Sequence, residues 1–259
     1  MSDETAALAR TLADAWLKGG SVPLPFAALA PKSRAEAYAI QDRMAQLIGG
    51  RVAGWKVGAT VPTVQLFEGH DGPLPGRIFA DRCLESPARI AANLFNGAKV
   101  ECEFAFRLTG KLPARITADS LAPLLTFHPA IELAASRYAP GTGQRAATTF
   151  DGIADNGGGG AAILGAAVVA WHDLPFETMA IDARIDGSPA IQAYSGPYRR
   201  HPLAIMVETV SDLRQRGIAL EPGDCVLTGS LTLPTPIRAG QTLTARFADL
   251  PPLEFTLTD

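Results

Sequence analysis

The stretch KVECEFAF, Lys99 to Phe106, sets the reading of the chain. It has the alternation of a β-strand, in which successive side chains point to opposite faces. Val100, Cys102, Phe104 and Phe106 therefore share one face, and Glu101 and Glu103 share the other. The two carboxylates lie about 6–7 Å apart at a strand's rise. At an effective dielectric of about 20 they repel by roughly 2–3 kcal/mol. Such a face either looks at water, where the repulsion is screened, or holds a cation.

Working outward, the same character extends from Arg51 to the C-terminus. Short apolar or alternating runs are separated by Gly and Pro turns, as expected of a β-rich region. Strands are predicted at Val52–Val57, Lys99–Arg107, Ala130–Leu133, Ile163–Trp171, Met179–Ile185, Asp224–Thr228, Gln241–Phe247 and Leu253–Leu257. One helix interrupts them, Pro202 to Arg216, with a proline at its start and Gly217 as its stop. Residues 1–50 read differently. Leu8, Leu12 and Trp16 form one helical stripe, and Ser33 with Glu36 forms a capping-box signature before Ile40, Met44 and Leu47. Strand and helix do not alternate strictly, which argues against a doubly wound parallel sheet. The expected architecture is α+β: a small helical N-terminal part over residues 1–50, then a mixed β-sheet roll or sandwich over residues 51–259.

Composition bounds the function. The 259 residues are 47% hydrophobic and 19% charged, with a net charge of −3 and a pI near 5.8. There is no cluster of Lys and Arg, so neither nucleic acid nor an anionic membrane surface is an expected partner. Cys83, Cys102 and Cys225 are far apart in sequence and form no C-x-x-C pair, which points to reduced thiols rather than a disulfide or zinc framework. The N-terminus is acidic where a secretion signal is basic. The longest apolar run, Ala161 to Trp171, is too short to span a bilayer. A cytoplasmic protein is expected.

Three further segments bear on the glutamate face. In HPAIELAAS, Glu132 sits inside a short apolar run, and a carboxylate there must point outward or find a partner. Three carboxylates from two strands would make a hard oxygen site, suited to Mg²⁺ or Mn²⁺ and poorly to zinc. In GRVAGWKVGAT, Lys56 lies mid-strand opposite Trp55 and Val57. It either snorkels to water or, enclosed, binds a substrate carboxylate or moves a proton. DGIADNGGGGAA brings Asp151, Asp155 and Asn156 ahead of four glycines, which is either an anion-binding nest or a turn. Residues 157–162 also fit G-x-G-x-x-A, but no convincing strand precedes them and consecutive glycines generate that pattern cheaply. Thr228-Gly229-Ser230 ends a strand with hydroxyls that bind substrate oxygens or close a turn. Glu68, His70 and Asp71 fall in a Gly/Pro loop that is a lid with an acid–base group or a plain connection. There is no G-x-S-x-G, H-E-x-x-H or Walker sequence, so the common hydrolase, zincin and NTPase readings lack support.

Taken in order, GWKVGAT, VECEFAF, AIELAASR, IADNGGGGAAILG and GDCVLTGSLTLPTPIRAGQTLTARF resemble the fumarylacetoacetate hydrolase superfamily. The branch is that of the 2-keto-4-pentenoate hydratases and 4-oxalocrotonate decarboxylases of aromatic catabolism. The resemblance implies a divalent cation, usually Mg²⁺, held by Glu101, Glu103 and Glu132. It also implies Lys56 as the active-site lysine, Thr228 in the substrate-binding segment, and a homo-oligomer built on dimers. Asp155 and Asn156 fall in the matching segment ahead of the glycines. Hydratases of this kind often carry P-D-F-G after the lysine strand. Here the residues are PLPG, with Leu74 in the acid's place and Glu68 or Asp71 as substitutes in the same loop. The glycines after ADN stand where serines are common. The expected activity is Mg²⁺-dependent addition of water to a small 2-hydroxy-dienoic (2-oxo) acid. A 4-oxalocrotonate-type decarboxylase, an acylpyruvate C–C hydrolase and a non-catalytic metal–dicarboxylate binding or scaffold subunit are the alternatives.

Overall fold

A computed structural model describes residues 3–69, 72–139 and 145–259, with Glu68 described in its backbone only. Its helices are α1 (Asp3–Lys18), α2 (Arg34–Ile48), α3 (Pro62–Glu68), α4 (Ala118–Leu121), α5 (Thr149–Ala154) and α6 (Pro202–Gln215). The strands are β1 (Val52–Gly58), β2 (Leu74–Phe79), β3 (Cys83–Glu85), β4 (Ala88–Ala91), β5 (Ala98–Leu108) and β6 (Leu125–Ala134). They continue with β7 (Gly159–Leu164), β8 (Ile181–Ile185), β9 (Cys225–Ser230), β10 (Thr235–Ile237), β11 (Thr242–Phe247) and β12 (Leu253–Thr258). No helix among the described residues is long and apolar enough to cross a membrane.

The strands form two mixed sheets. The larger runs β2-β1-β9-β5-β6-β7-β3, with β10 also paired to β5, and the smaller runs β4-β12-β11-β8. Val100, Cys102, Phe104 and Phe106 of β5 join the buried core between them, together with Leu243, Phe247 and Phe255 of the smaller sheet and Val210 and Leu213 of α6. Phe104 meets Phe127, Phe176 and Phe247 at ring-centroid distances of 5.6, 5.0 and 6.0 Å, the edge-on range in which aromatic pairs attract. The fold is thus α+β, with the large sheet packed on the small one.

The N-terminal helices follow their capping and stripe. Ser33 Oγ accepts the Glu36 amide at 3.2 Å, and Glu36 Oε2 accepts the Lys32 amide. Leu12 and Trp16 are buried against Met44, Phe79 and Ile153, so these helices cover one flank of the large sheet.

The opposite face of the large sheet is narrow and lined by small side chains: Ala105, Ala130, Ala162 and Cys225 pack with Ile78, Leu164 and Leu227. Small residues let the sheet curl. Lys56 on β1 and Glu132 on β6 are three strand spacings apart, about 14 Å if flat, yet their side chains meet at 3.2 Å.

Several expectations change. The predicted strand Ile163–Trp171 stops at Leu164, where Gly165 turns with its amide on Pro129 O, Val168 makes a lone bridge to Phe127, and Trp171 fills the core. The Gly/Pro stretch FEGHDGPLPGRIF, read as loop, begins at the end of α3 and ends in the edge strand β2. Cys83 and Cys225, distant in sequence, bring their sulfurs to 3.7 Å as free thiols.

Candidate metal and substrate site

The glutamates come together through strand register. In the β5–β6 ladder Glu101 stands directly opposite Glu132, and Glu103 lies one step further on the same face. Oxygens of all three carboxylates lie within 4.8 Å of one another. Glu103 and Glu132 are buried and Glu101 is half-buried.

Glu103 is fixed by a break in the sheet. β9 pairs with β5 from Arg107 to Glu103 with a register shift, and β10 takes over at Val100. In the gap Thr232 Oγ1 accepts the Cys102 amide, and the Gly229 amide, at φ +98°, donates to Glu103 Oε2 at 2.7 Å. Such irregularities re-aim groups beside active sites.

Lys56 Nζ donates to Gly157 O at 2.9 Å and lies 3.2 Å from Glu132 Oε1. That oxygen is enclosed and, for all its closeness to the ammonium, lacks hydrogen-bond alignment. Burial pulls the Lys56 ammonium toward deprotonation, but Glu132, Glu101 and Glu103 outweigh it and leave its pKa raised. Burial, then repulsion from Glu132 and Glu101, drives the Glu103 carboxyl well above the usual range. Glu101 is raised by burial and by Glu132, partly countered by Lys56. With three carboxylates ionised against one ammonium, two net negative charges converge on oxygen donors alone. A buried unaligned oxygen and carboxylates that resist ionisation are what a divalent hard cation would relieve.

The other candidates hold the frame. Asp155 is buried and accepts from Arg137 Nε at 2.5 Å, from the Arg137 amide and from Ser136 Oγ. Asn156 bonds both ways to the Arg77 backbone, 2.7 Å from the amide and 2.9 Å to the carbonyl. It thereby ties the approach to β7 against β2. Gly76 permits this closeness, since a Cβ there would lie 2.3 Å from Asn156 O. Thr228 Oγ1 donates to Phe104 O at 3.0 Å inside the sheet. Leu74 opens β2 opposite Gly58. His70 and Asp71 lie outside the described residues. Reading side chains alone misses the Gly229 amide, at a glycine inside β9, the Gly157 carbonyl, in the glycine run just before β7, and Arg137, which clamps Asp155 and Gly159 O.

Residues 85–258 match the family described as fumarylacetoacetate (FAA) hydrolase C-terminal, and the chain belongs to that family. Among curated relatives, the "TodF product hydratase" of Pseudomonas putida (strain F1) is 30% identical over 219 residues, covering 83% of this chain and 80% of the relative. A 2-keto-4-pentenoate hydratase of Burkholderia vietnamiensis is 28% identical over 267 residues, spanning both chains entirely. A solved 4-oxalocrotonate decarboxylase from Pseudomonas putida G7, complexed with magnesium and adipate, has the same fold: TM-score 0.86 at 19% identity, over 98% of this chain and 97% of that one.

Proposed function

We propose that this protein is a Mg²⁺-dependent hydratase that adds water to a small 2-hydroxy-2,4-dienoate. The observation that carries the reading is the buried Glu101–Glu103–Glu132 cluster with the Lys56 ammonium against it, in a chain whose relatives include hydratases along their whole length. Glu101, Glu103 and Glu132 would hold the cation, with Mn²⁺ a workable substitute. When bound, a divalent cation supplies Lewis-acid stabilisation of the negative charge on the 2-oxygen of an enolate, an effect of several kcal/mol.

The chain's own residues do the rest. Gly229 holds Glu103 in place, which leaves the carboxylates pre-aimed rather than free to rotate. Lys56, kept protonated by the glutamates, presents N–H donors where a substrate carboxylate would sit, and it is the enclosed group able to hold a proton there. The reaction requires a proton at C5 as the 2-hydroxyl becomes a ketone, then hydroxide at C4 and a proton at C3. Asp155, Asn156 and Thr228 act as positioning residues in this reading, because their polar atoms are engaged by Arg137, the Arg77 backbone and Phe104 O. Asp71 is retained as the candidate loop acid.

The test follows the ultraviolet absorbance of freshly generated 2-hydroxypenta-2,4-dienoate with enzyme plus Mg²⁺ and with EDTA, identifying products by mass. Mg²⁺-dependent loss of the diene with gain of one water is expected. No diene loss, together with Mg²⁺-dependent release of CO₂ from 4-oxalocrotonate, would replace the hydratase by the decarboxylase reading.

A further inference from the structure

Beside Lys56 lies a cleft of about 590 Å³, within the range of small-molecule sites. Gly58, two residues along β1 from Lys56, and Gly157, whose carbonyl receives the Lys56 ammonium, form part of its wall. The cleft therefore begins where the lysine side of the site ends. Its wall also includes the apolar Phe67, Leu74, Pro75 and Ile153, with the hydroxyl residues Thr148 and Thr149. None of the described residues lining it is charged.

The nearby cations are committed elsewhere. Arg145, in the neighbouring cleft that shares Ala147 and Thr148, holds Asp151 with both terminal nitrogens at 2.7 and 2.8 Å. Arg34 binds Pro73 O and Asp212. Residues 70, 71 and 140–144, outside the described residues, contain neither Lys nor Arg, and their one histidine, His70, is followed by Asp71. A second carboxylate brought into this cleft would lose water without gaining a cationic partner among the described residues, whereas an alkyl chain would gain by leaving water.

We infer that this cleft receives the end of the substrate remote from its 2-oxo-carboxylate, and that this end is an uncharged apolar chain rather than a second carboxylate. The inference rests on the 2-oxo-acid reading above. It makes Leu74 part of an apolar wall. It also separates two substrate classes that the metal-binding head cannot tell apart, since monoacids and diacids present the same 2-oxo-carboxylate.

The test uses unreactive acids, so it stands apart from turnover. Pyruvate, 2-oxooctanoate and 2-oxoheptanedioate are titrated into the full-length protein with Mg²⁺ by calorimetry. Pyruvate reports the head alone, and the two longer acids have chains of similar length ending in methyl or carboxylate. Each methylene that leaves water tightens binding about fourfold, so 2-oxooctanoate is expected to bind at least about tenfold tighter than 2-oxoheptanedioate. Gly152 also lines the cleft, and a Cβ there would meet nothing within 4 Å. Gly152→Phe, filling the cleft, is expected to erase the preference. Gly152→Arg, supplying a cation, is expected to reverse it. Pyruvate binding with equal affinity for the two longer acids, or a preference unmoved by both variants, would overturn the tail assignment alone. Failure of pyruvate to bind in Mg²⁺ would overturn the 2-oxo-acid reading and this inference with it.

Discussion

Lys56 shows how burial and charge contend at a single residue. Burial disfavours its ammonium, yet three glutamates hold the charge on, and Glu132 lies at 3.2 Å. Removing the cation while leaving the carboxylates strands buried negative charge, a loss typically of about 3–5 kcal/mol. Lys56→Met is therefore expected to lose stability of that order in urea unfolding with EDTA present. Saturating Mn²⁺ is expected to return part of the loss, because a divalent ion offsets the same charge. An equal loss with and without Mn²⁺ would show that ion and ammonium do not share the cluster. The residue types of this site are legible in the sequence, since an E-x-E strand, a glutamate in an apolar run and a lysine between glycines each need a partner. Their meeting is legible only through the family resemblance, not from the residues alone. It depends on a curl that brings β1 to β6, and on a Gly229 amide that no side-chain pattern encodes.

At the scale of elements, alternation reads best where one face meets a core and the other does not. β11 and β12 alternate in this way and fall close to their expected bounds, whereas β5, also close to its bounds, is buried on both faces from Cys102 to Phe106. β2 reads as a turn because LPGRIF carries Pro and Gly. It survives as an edge strand, where Pro75 withholds no essential donor and Gly76 admits Asn156. Trp171 extends an apolar run beyond β7 because it fills the core from a loop, which periodicity cannot distinguish from a strand. Gly54 tests the strand packing directly. An added Cβ would lie 2.1 Å from Cys225 O and 2.6 Å from Cys225 Sγ, so Gly54→Ala must push β1 off its parallel partner β9. A loss of about 1–3 kcal/mol is expected from such overpacking, read as a lowered midpoint in thermal unfolding. Unchanged stability would mean that β1 and β9 are not so closely apposed.

For the whole molecule, the cluster makes stability depend jointly on pH and on a divalent ion. Glu101 and Glu103 have raised carboxyl pKa values, caused first by burial and then by neighbouring carboxylates. A folded-state pKa above the unfolded one means that the native chain binds more protons. The associated stability is complete below the unfolded pKa of about 4.3 and is lost as pH rises through the folded value. A cation needs the deprotonated carboxylates and so competes with those protons. The stabilisation by Mg²⁺ is therefore expected to be small near pH 5 and to grow toward pH 8, opposite to the trend of the metal-free protein's own cluster. At a concentration 100 times the dissociation constant, an ion that binds only the native state adds about 2.7 kcal/mol, or roughly 5–10 °C in a chain of this size. The measurement is the difference in thermal midpoint with Mg²⁺ and with EDTA across that pH range. Taking the difference at each pH cancels titrations unconnected with the ion. An increment that stays constant or shrinks with rising pH would place any bound Mg²⁺ away from Glu101 and Glu103.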